Sequence, residues 1–297
     1  MKNRIYTLAN IFKFGPNRKM VRIMVWLSWP IIKYGKKLSA IPVLKWLINP
    51  FFMRPYNEVT SIPIGVSIPA NKSVPLPLRT LERLVSEVEE KFIISECICR
   101  RHEKSVNPPA DLGCMVLGPA IRRMHPSHGW SATTAEAVAH VRRAAKLGLI
   151  ANIAHVWIDM TAFWVRFKPL MFICFCDDVN CLYRTHMKSR GPALDGAYKK
   201  LPGITVEVDK AKCDGCEICV EKCFVSAIEM KSGKAIITDD CKACGRCHEV
   251  CPVDAVKMTF PGEEEFIRQI KDRISAVSEL PFISETPIPK TKKPKGR

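Results

Sequence analysis

Hydrophobic positions along this chain fall into blocks of different period. In LRTLERLVSEVEEKF (78–92), Leu81, Leu84, Val85, Val88 and Phe92 recur at i, i+3, i+4, i+7 and i+11, the spacing of an amphipathic helix. The β-branched, alternating FIISECICRRHE then predicts a strand with Cys97 and Cys99 on one face. At TTAE, Thr133 and Glu136 form a capping box, and the helical period of EAVAHVRRAAKL runs to Gly148 as its C-cap. Residues 149–176 are rich in Ile, Val, Phe and Trp and end in ICFC, a second strand-borne C-x-C. Short β-like runs follow at ITVEVD, AIEM, AIIT and AVKM, and a last helical period from Phe266 to Val277 puts Ile267, Ile270, Ile274 and Val277 on one side. Upstream, the proline-punctuated stretch from Thr60 to Pro77 predicts an extended connector.

Charge changes this picture at the two ends. Of the formal +17, residues 1–60 hold eleven Lys and Arg against Glu58 alone, and residues 281–297 hold five against Glu285. The N-terminal apolar runs, IMVWLSWPII and WLINPFFM, are shorter than the roughly 18–20 residues a membrane crossing needs. Their Trp26, Trp29, Trp46, Phe51 and Phe52 alternate with Lys13, Arg18, Lys19, Lys33, Lys36, Lys37 and Lys45, as an in-plane anchor on an anionic membrane or a dock on a membrane subunit requires. The competing expectation is packing on the protein's own core or a partner subunit, with the charges merely solvated. Nucleic acid fits poorly, because the aromatics sit among aliphatics rather than among Gly, Ser and polar residues. No export signal is visible, so the thiols are expected to be reduced, in cytoplasm at the inner face of the membrane.

The chain has 14 cysteines. Eight fall in two runs, CDGCEICVEKC from Cys213 and CKACGRCHEVC from Cys241, both C-x2-C-x2-C-x3-C and offset by 28 residues throughout. This internal repeat resembles the bacterial two-cluster ferredoxin over residues 203–260. The resemblance implies two [4Fe-4S] clusters with exchanged fourth ligands, one held by Cys213, Cys216, Cys219 and Cys251, the other by Cys241, Cys244, Cys247 and Cys223. Gly215 and Gly245 suit the tight turns of such loops. Pro252 follows Cys251 as the pattern expects, whereas Phe224 stands where the first run would carry proline.

Cys97, Cys99, Cys114, Cys174, Cys176 and Cys181 remain. Two C-x-C strands side by side would present Cys97, Cys99, Cys174 and Cys176 to one site, with Cys114 and Cys181 as further ligands of a third cluster or a zinc ion, since spacing alone does not separate the two. His125 and His128 are expected in a turn, and His102 is a slightly better ligand candidate, expected more often at the surface. The order ECICR, DLGCMVLG, EAVAHVRRAAKLGLI, ICFC and then a two-cluster ferredoxin resembles a group of iron–sulfur proteins from archaea and anaerobic bacteria, which implies anaerobic redox metabolism. In those relatives the second cysteine stretch is richer, where this chain has Asp177, Asp178 and Asn180.

The expected fold is α+β: a basic, aromatic docking segment (1–60), an α+β domain with the C-x-C pairs (61–200), a two-cluster ferredoxin module (201–262), a helix (263–280) and a disordered basic tail (281–297). The expected function is low-potential, single-electron transfer between redox partner proteins, as a component of a membrane-associated complex rather than a stand-alone enzyme. An oxidoreductase with a catalytic centre in the middle domain, and a structural zinc or redox-sensing module, are the alternatives. No G-x-G-x-x-G, P-loop or H-E-x-x-H is present to support nucleotide or zinc-hydrolase chemistry.

Overall fold

A computed structural model describes residues 13–45, 57–65 and 76–283. In chain order the elements are α1 (Arg18–Leu38), β1 (Glu58–Ile62), α2 (Leu76–Ser86), β2 (Lys91–Ile94), α3 (Ile98–His102), β3 (Met115–Leu117), β4 (Gly129–Ser131), α4 (Thr134–Lys146), β5 (Ile150–His155), α5 (Trp157–Phe163), β6 (Met171–Cys176), α6 (Pro192–Ala197) and β7 (Tyr198–Lys199). The C-terminal part holds β8 (Thr205–Val208), α7 (Ile218–Lys222), β9 (Ile228–Lys231), β10 (Lys234–Ile237), α8 (Arg246–Glu249), β11 (Val256–Thr259) and α9 (Glu263–Val277).

Strands β4-β2-β3-β6-β5-β1-β7 form one seven-stranded sheet, antiparallel except where β1 meets β7. Its two faces follow from side-chain alternation. On β6, Met171, Ile173 and Phe175 face a core built with Leu81, Leu84 and Val85 of α2, Val141 of α4 and Phe266, Ile270 and Ile274 of α9. Phe172, Cys174 and Cys176 face the other side, with Val21 of α1 and Met160 and Phe163 of α5. The C-x-C of β6 therefore presents both thiols to one layer, as its period requires.

Several sequence expectations change. The helix expected over 78–92 ends at Ser86, and Phe92 belongs to β2, where it joins the cysteine side of the sheet. The strand expected to carry Cys97 and Cys99 ends at Ile94; Cys97 is instead the N-cap of α3, and Cys99 lies within it. Cys97 N–H bonds to the Ala110 carbonyl, which takes the chain out of the sheet. The neighbours of β6 are β3 and β5, so the two C-x-C pairs do not meet as adjacent strands. The expected connector opens with β1, a fully buried strand paired with β5 and crossing the division placed at residue 60, while residues 66–75 lie outside the described residues. Trp46, Phe51, Phe52 and the tail from 284 also lie outside them.

The α4 capping box forms as expected, with Thr133 N–H donating to Glu136 at 2.8 Å and Glu136 N–H to Thr133 at 3.3 Å, and Gly148 closes the helix at φ +65. His125 and His128 do sit in a turn: His125 Nδ1 accepts from Ser127 N–H, and His128 Nε2–H donates to the Pro16 carbonyl. His102 stacks on Trp29 with ring centroids 4.4 Å apart.

Candidate functional site

The offset of 28 residues recurs in the backbone of the C-terminal part. Positive φ occurs at Gly215 and Ala243, at Glu217 and Gly245, and at Ser226 and Asp254. Helices α7 and α8 start at Ile218 and Arg246, and strands β9 and β11 span Ile228–Lys231 and Val256–Thr259. Ala227 N–H donates to Cys223 Sγ and Ala255 N–H to Cys251 Sγ, each at 3.2 Å. Left-handed residues in each three-cysteine loop bend it tightly, so that successive thiols turn inward. At Gly215, with φ +79, a Cβ would come within 2.5 Å of the Gly233 carbonyl oxygen, and only glycine fits.

Each of two cysteine neighbourhoods combines residues from both runs. Cys213, Cys216, Cys219 and Cys251 line one concave site, closed by Met230, Ala235 and Val256. Cys241, Cys244 and Cys223 neighbour Cys247: burial pushes the Cys247 thiol far up, and Cys244, Cys241, Cys223 and, least, Cys219 push it further. Thiols crowded in this way resist ionisation unless a cation binds them. The donor set, two groups of four sulfurs with N–H groups aimed at Cys223, Cys251 and, from Ala243 at 3.4 Å, Cys241, fits iron–sulfur clusters.

The second set abuts the sheet domain. Arg184, 2% exposed, donates to Asp178 Oδ1 at 2.7 Å, approaches Cys244 Sγ at 3.7 Å and lies over the Phe224 ring at 4.2 Å. Arg246 pairs with Asp178 at 2.6 Å and Lys242 with Asp195 at 3.0 Å. Arg190 Nη1 donates to the Val225 carbonyl at 2.7 Å.

The six remaining cysteines come together on the α1 side of the sheet although their carriers are a helix cap, a loop, a strand and a turn. Cys99 hydrogen-bonds Cys97, and this bond together with burial pushes its thiol well above the ordinary range. Cys174 is raised in the same way by its bond to Cys114 and by burial, and Cys176 by burial and its bond to Cys181. The Coulombic coupling of Cys176 to Cys181, Cys114 and Cys99 joins these pairs into one group. Among the described residues no three His, Cys, Asp or Glu side chains are gathered as a cage for a single metal ion.

Charged groups not foreseen from sequence surround these thiols. Lys36, 3% exposed, donates to the Leu182 and Thr185 carbonyls; burial lowers its pKa to about 8 against the raising effect of Cys181, Cys99 and Cys176. Arg100 donates to the Pro109 carbonyl at 2.9 Å and the Phe175 carbonyl at 2.8 Å, and stands 3.6 Å from Asp177. Burial raises Asp159 to about 6, and it accepts from the Tyr183 hydroxyl. The available signal for Lys36 is its phase: Val25, Trp29, Ile32 and Lys36 lie at i, i+4, i+7 and i+11, one face of a helix.

Helix α1 covers this region. Its inner side is fixed by Arg22, which grips Glu96 at 2.6 and 2.8 Å, and by Trp29 Nε1–H donating to Glu103 at 2.7 Å. Its outer side leaves Trp26 67% and Ile31 74% exposed, with Ile23, Leu27 and Tyr34 also open. No helix among the described residues is long and apolar enough to cross a membrane. A cavity of about 230 Å³ under α1 is bordered by Cys99, Cys114, Cys174, Asp159 and Tyr183. A larger apolar one, about 610 Å³, adjoins it through Ser28, Ile32, Leu182 and Tyr183.

Residues 234–257 match the family of the 4Fe-4S binding domain. The chain is 43% identical over 75 residues to the PorD subunit of pyruvate synthase from Methanothermobacter marburgensis, covering 90% of that protein and 21% of this one. It is 37% identical over 59 residues to a ferredoxin of Methanocaldococcus jannaschii, covering 95% of that protein and 18% of this one. Similarity also extends to a subunit I of NADH-quinone oxidoreductase from Geobacter metallireducens, 32% identical over 99 residues, 74% of that subunit and 30% of this chain.

Proposed function

This chain belongs to the ferredoxin family through a segment covering 18% of its length, and on that footing we propose that it relays single electrons through two [4Fe-4S] clusters to redox partner proteins. The observation that carries this reading is the grouping of Cys251 with Cys213, Cys216 and Cys219, and of Cys223 with Cys241, Cys244 and Cys247. Clusters so held supply one-electron chemistry at low potential. The chain's own groups tune it. N–H donors to Cys223, Cys251 and Cys241, with the Arg184 guanidinium beside Cys244, favour added negative charge. Ala235, Ala255 and Ile228 pack with Cys213 and Cys219 of the first set, and Phe224 and Val225 lie in the cluster that Cys223, Cys241 and Cys244 of the second pack against. The exchanged fourth cysteines bind the two halves of the module into one unit.

The test is anaerobic reconstitution of the full chain with iron and sulfide analysis. Cys216→Ser and Cys244→Ser should each lose about four irons and keep the rest. Retention of all iron in either variant would overturn the assignment.

Association with an anionic membrane surface is part of the same reading. The apolar outer side of α1 is flanked by Lys19, Lys33 and Lys37, which suits a helix lying in the headgroup plane. Vesicle co-sedimentation, set out in the Discussion, decides it.

A further inference from the structure

We propose that the six thiols on the α1 side of the sheet form a third metal–sulfur centre, of the iron–sulfur type, with Cys99, Cys114 and Cys174 among its ligands. This goes beyond the two-cluster reading and uses none of its eight cysteines. Three independent observations carry it.

The first is convergence. Cys97, Cys99, Cys114, Cys174, Cys176 and Cys181 come from four separate elements, yet Cys114, Cys174, Cys176 and Cys181 share one buried cluster, Cys99, Cys114 and Cys174 border one cavity, and Cys97 neighbours Cys99. Buried cysteines that serve only as small apolar groups have no reason to share one patch. The second is room. The cavity of about 230 Å³ has Cys99, Cys114 and Cys174 in its wall, so an inorganic core can sit against these sulfurs without unfolding the sheet.

The third is charge. Lys36 is buried among Cys99, Cys176 and Cys181 with backbone carbonyls as its hydrogen-bond partners. Burying an ammonium costs several kcal/mol unless an anion offsets it. Metal-bound thiolates are anions, and a cluster bearing four of them is net negative, so the centre supplies the charge that Lys36 and Arg100 face. Asp177 takes part of the Arg100 charge at 3.6 Å and Asp159 is held by Tyr183, while among the described residues no carboxylate pairs with Lys36.

The cavity also bears on the kind of centre. A single zinc ion draws four sulfurs to about 2.3 Å from one point, whereas here Cys99, Cys114 and Cys174 border a cavity of about 230 Å³. A core of several iron and sulfide atoms fills more of such a space than one ion does.

The experiment is a metal count on the full chain, purified and reconstituted without oxygen. The expected result is about twelve irons and about twelve sulfides per chain. A Cys99→Ser/Cys174→Ser double variant should fall to about eight of each, with the EPR signal of the reduced ferredoxin clusters unchanged. Lys36→Met keeps every cysteine, and should move the midpoint potential of one species downward and leave the other two in place. About eight irons in the parent chain, or one zinc per chain that the double variant loses, overturns the third centre. Either result leaves the two-cluster reading standing, since that reading fails only if Cys216→Ser or Cys244→Ser retains all iron.

Discussion

The Arg184 guanidinium lies over the Phe224 ring at 4.2 Å, and it joins the cysteine-bearing turn of the sheet domain to the position where the first ferredoxin run departs from its usual proline. The same side chain bonds Asp178 and stands 3.7 Å from Cys244 Sγ. Phe224 is thus the surface on which a buried cation is delivered to the second cysteine set. A proline there would offer no π face.

Removing that cation should make the adjacent cluster harder to reduce. Arg184→Met takes away a positive charge and an N–H donor near Cys244, so its midpoint potential should fall by on the order of 60 mV, the one-electron equivalent of about 1.4 kcal/mol. Potentiometric EPR titration measures it, and an unchanged potential would remove Arg184 from the tuning role.

Gly215 and Gly148 make a controlled comparison. Both have positive φ, but a Cβ at Gly215 meets the Gly233 carbonyl at 2.5 Å, while at Gly148 nothing lies within 4 Å. Gly148→Ala should cost about 1–2 kcal/mol of backbone strain and leave the iron content alone. Gly215→Ala should also displace the loop carrying Cys213 and Cys216, with iron content lowered by about four per chain; equal iron in the two variants contradicts the close approach.

The outer side of α1 gives a lipid prediction. The full chain should co-sediment with vesicles containing phosphatidylserine and less with purely zwitterionic ones, and Trp26→Glu/Ile31→Glu should lose that binding, because both residues are exposed and face away from the body. Undiminished binding by the double variant would sink the membrane reading.

His128 should make stability depend on acid. Its ring donates to the Pro16 carbonyl and is pushed down to about 4 by burial, with His125 and Arg18 lowering it further and Glu96 acting the other way. The folded chain therefore keeps the ring neutral while the unfolded chain protonates it below about 6.5. Its contribution is complete above about pH 6.5 and is lost progressively as pH falls toward about 4. Urea unfolding across that window should show His128→Gln with a shallower pH slope than the parent chain.

In the core, Leu84 of α2 is fully buried against the sheet. Leu84→Ala should lower unfolding free energy by about 2–5 kcal/mol with an unchanged denaturant slope.

Much of this architecture was legible in residue spacing. The short runs ITVEVD, AIEM, AIIT and AVKM appear as β8, β9, β10 and β11, because their β-signal is local. The capping box at Thr133 and the apolar side of α9 were legible for the same reason. The strand assigned to ECICR was not, because alternation cannot register the Cys97–Ala110 backbone bond that turns the chain into α3. Nor could spacing show that Cys114 meets Cys174, or that Lys36 turns inward from a helix whose Lys19 and Lys37 are exposed. Those facts depend on the strand order, and strand order is a long-range property.

The pairing of β8 with β11 sets Thr205 directly opposite Thr259. The polypeptide thus enters and leaves the ferredoxin segment at one doorway, and everything between is a closed cassette that a host chain can accept or release without rethreading its own sheet. Such portability suits a segment that matches a small ferredoxin along 95% of its length while the rest of the chain builds a seven-stranded sheet.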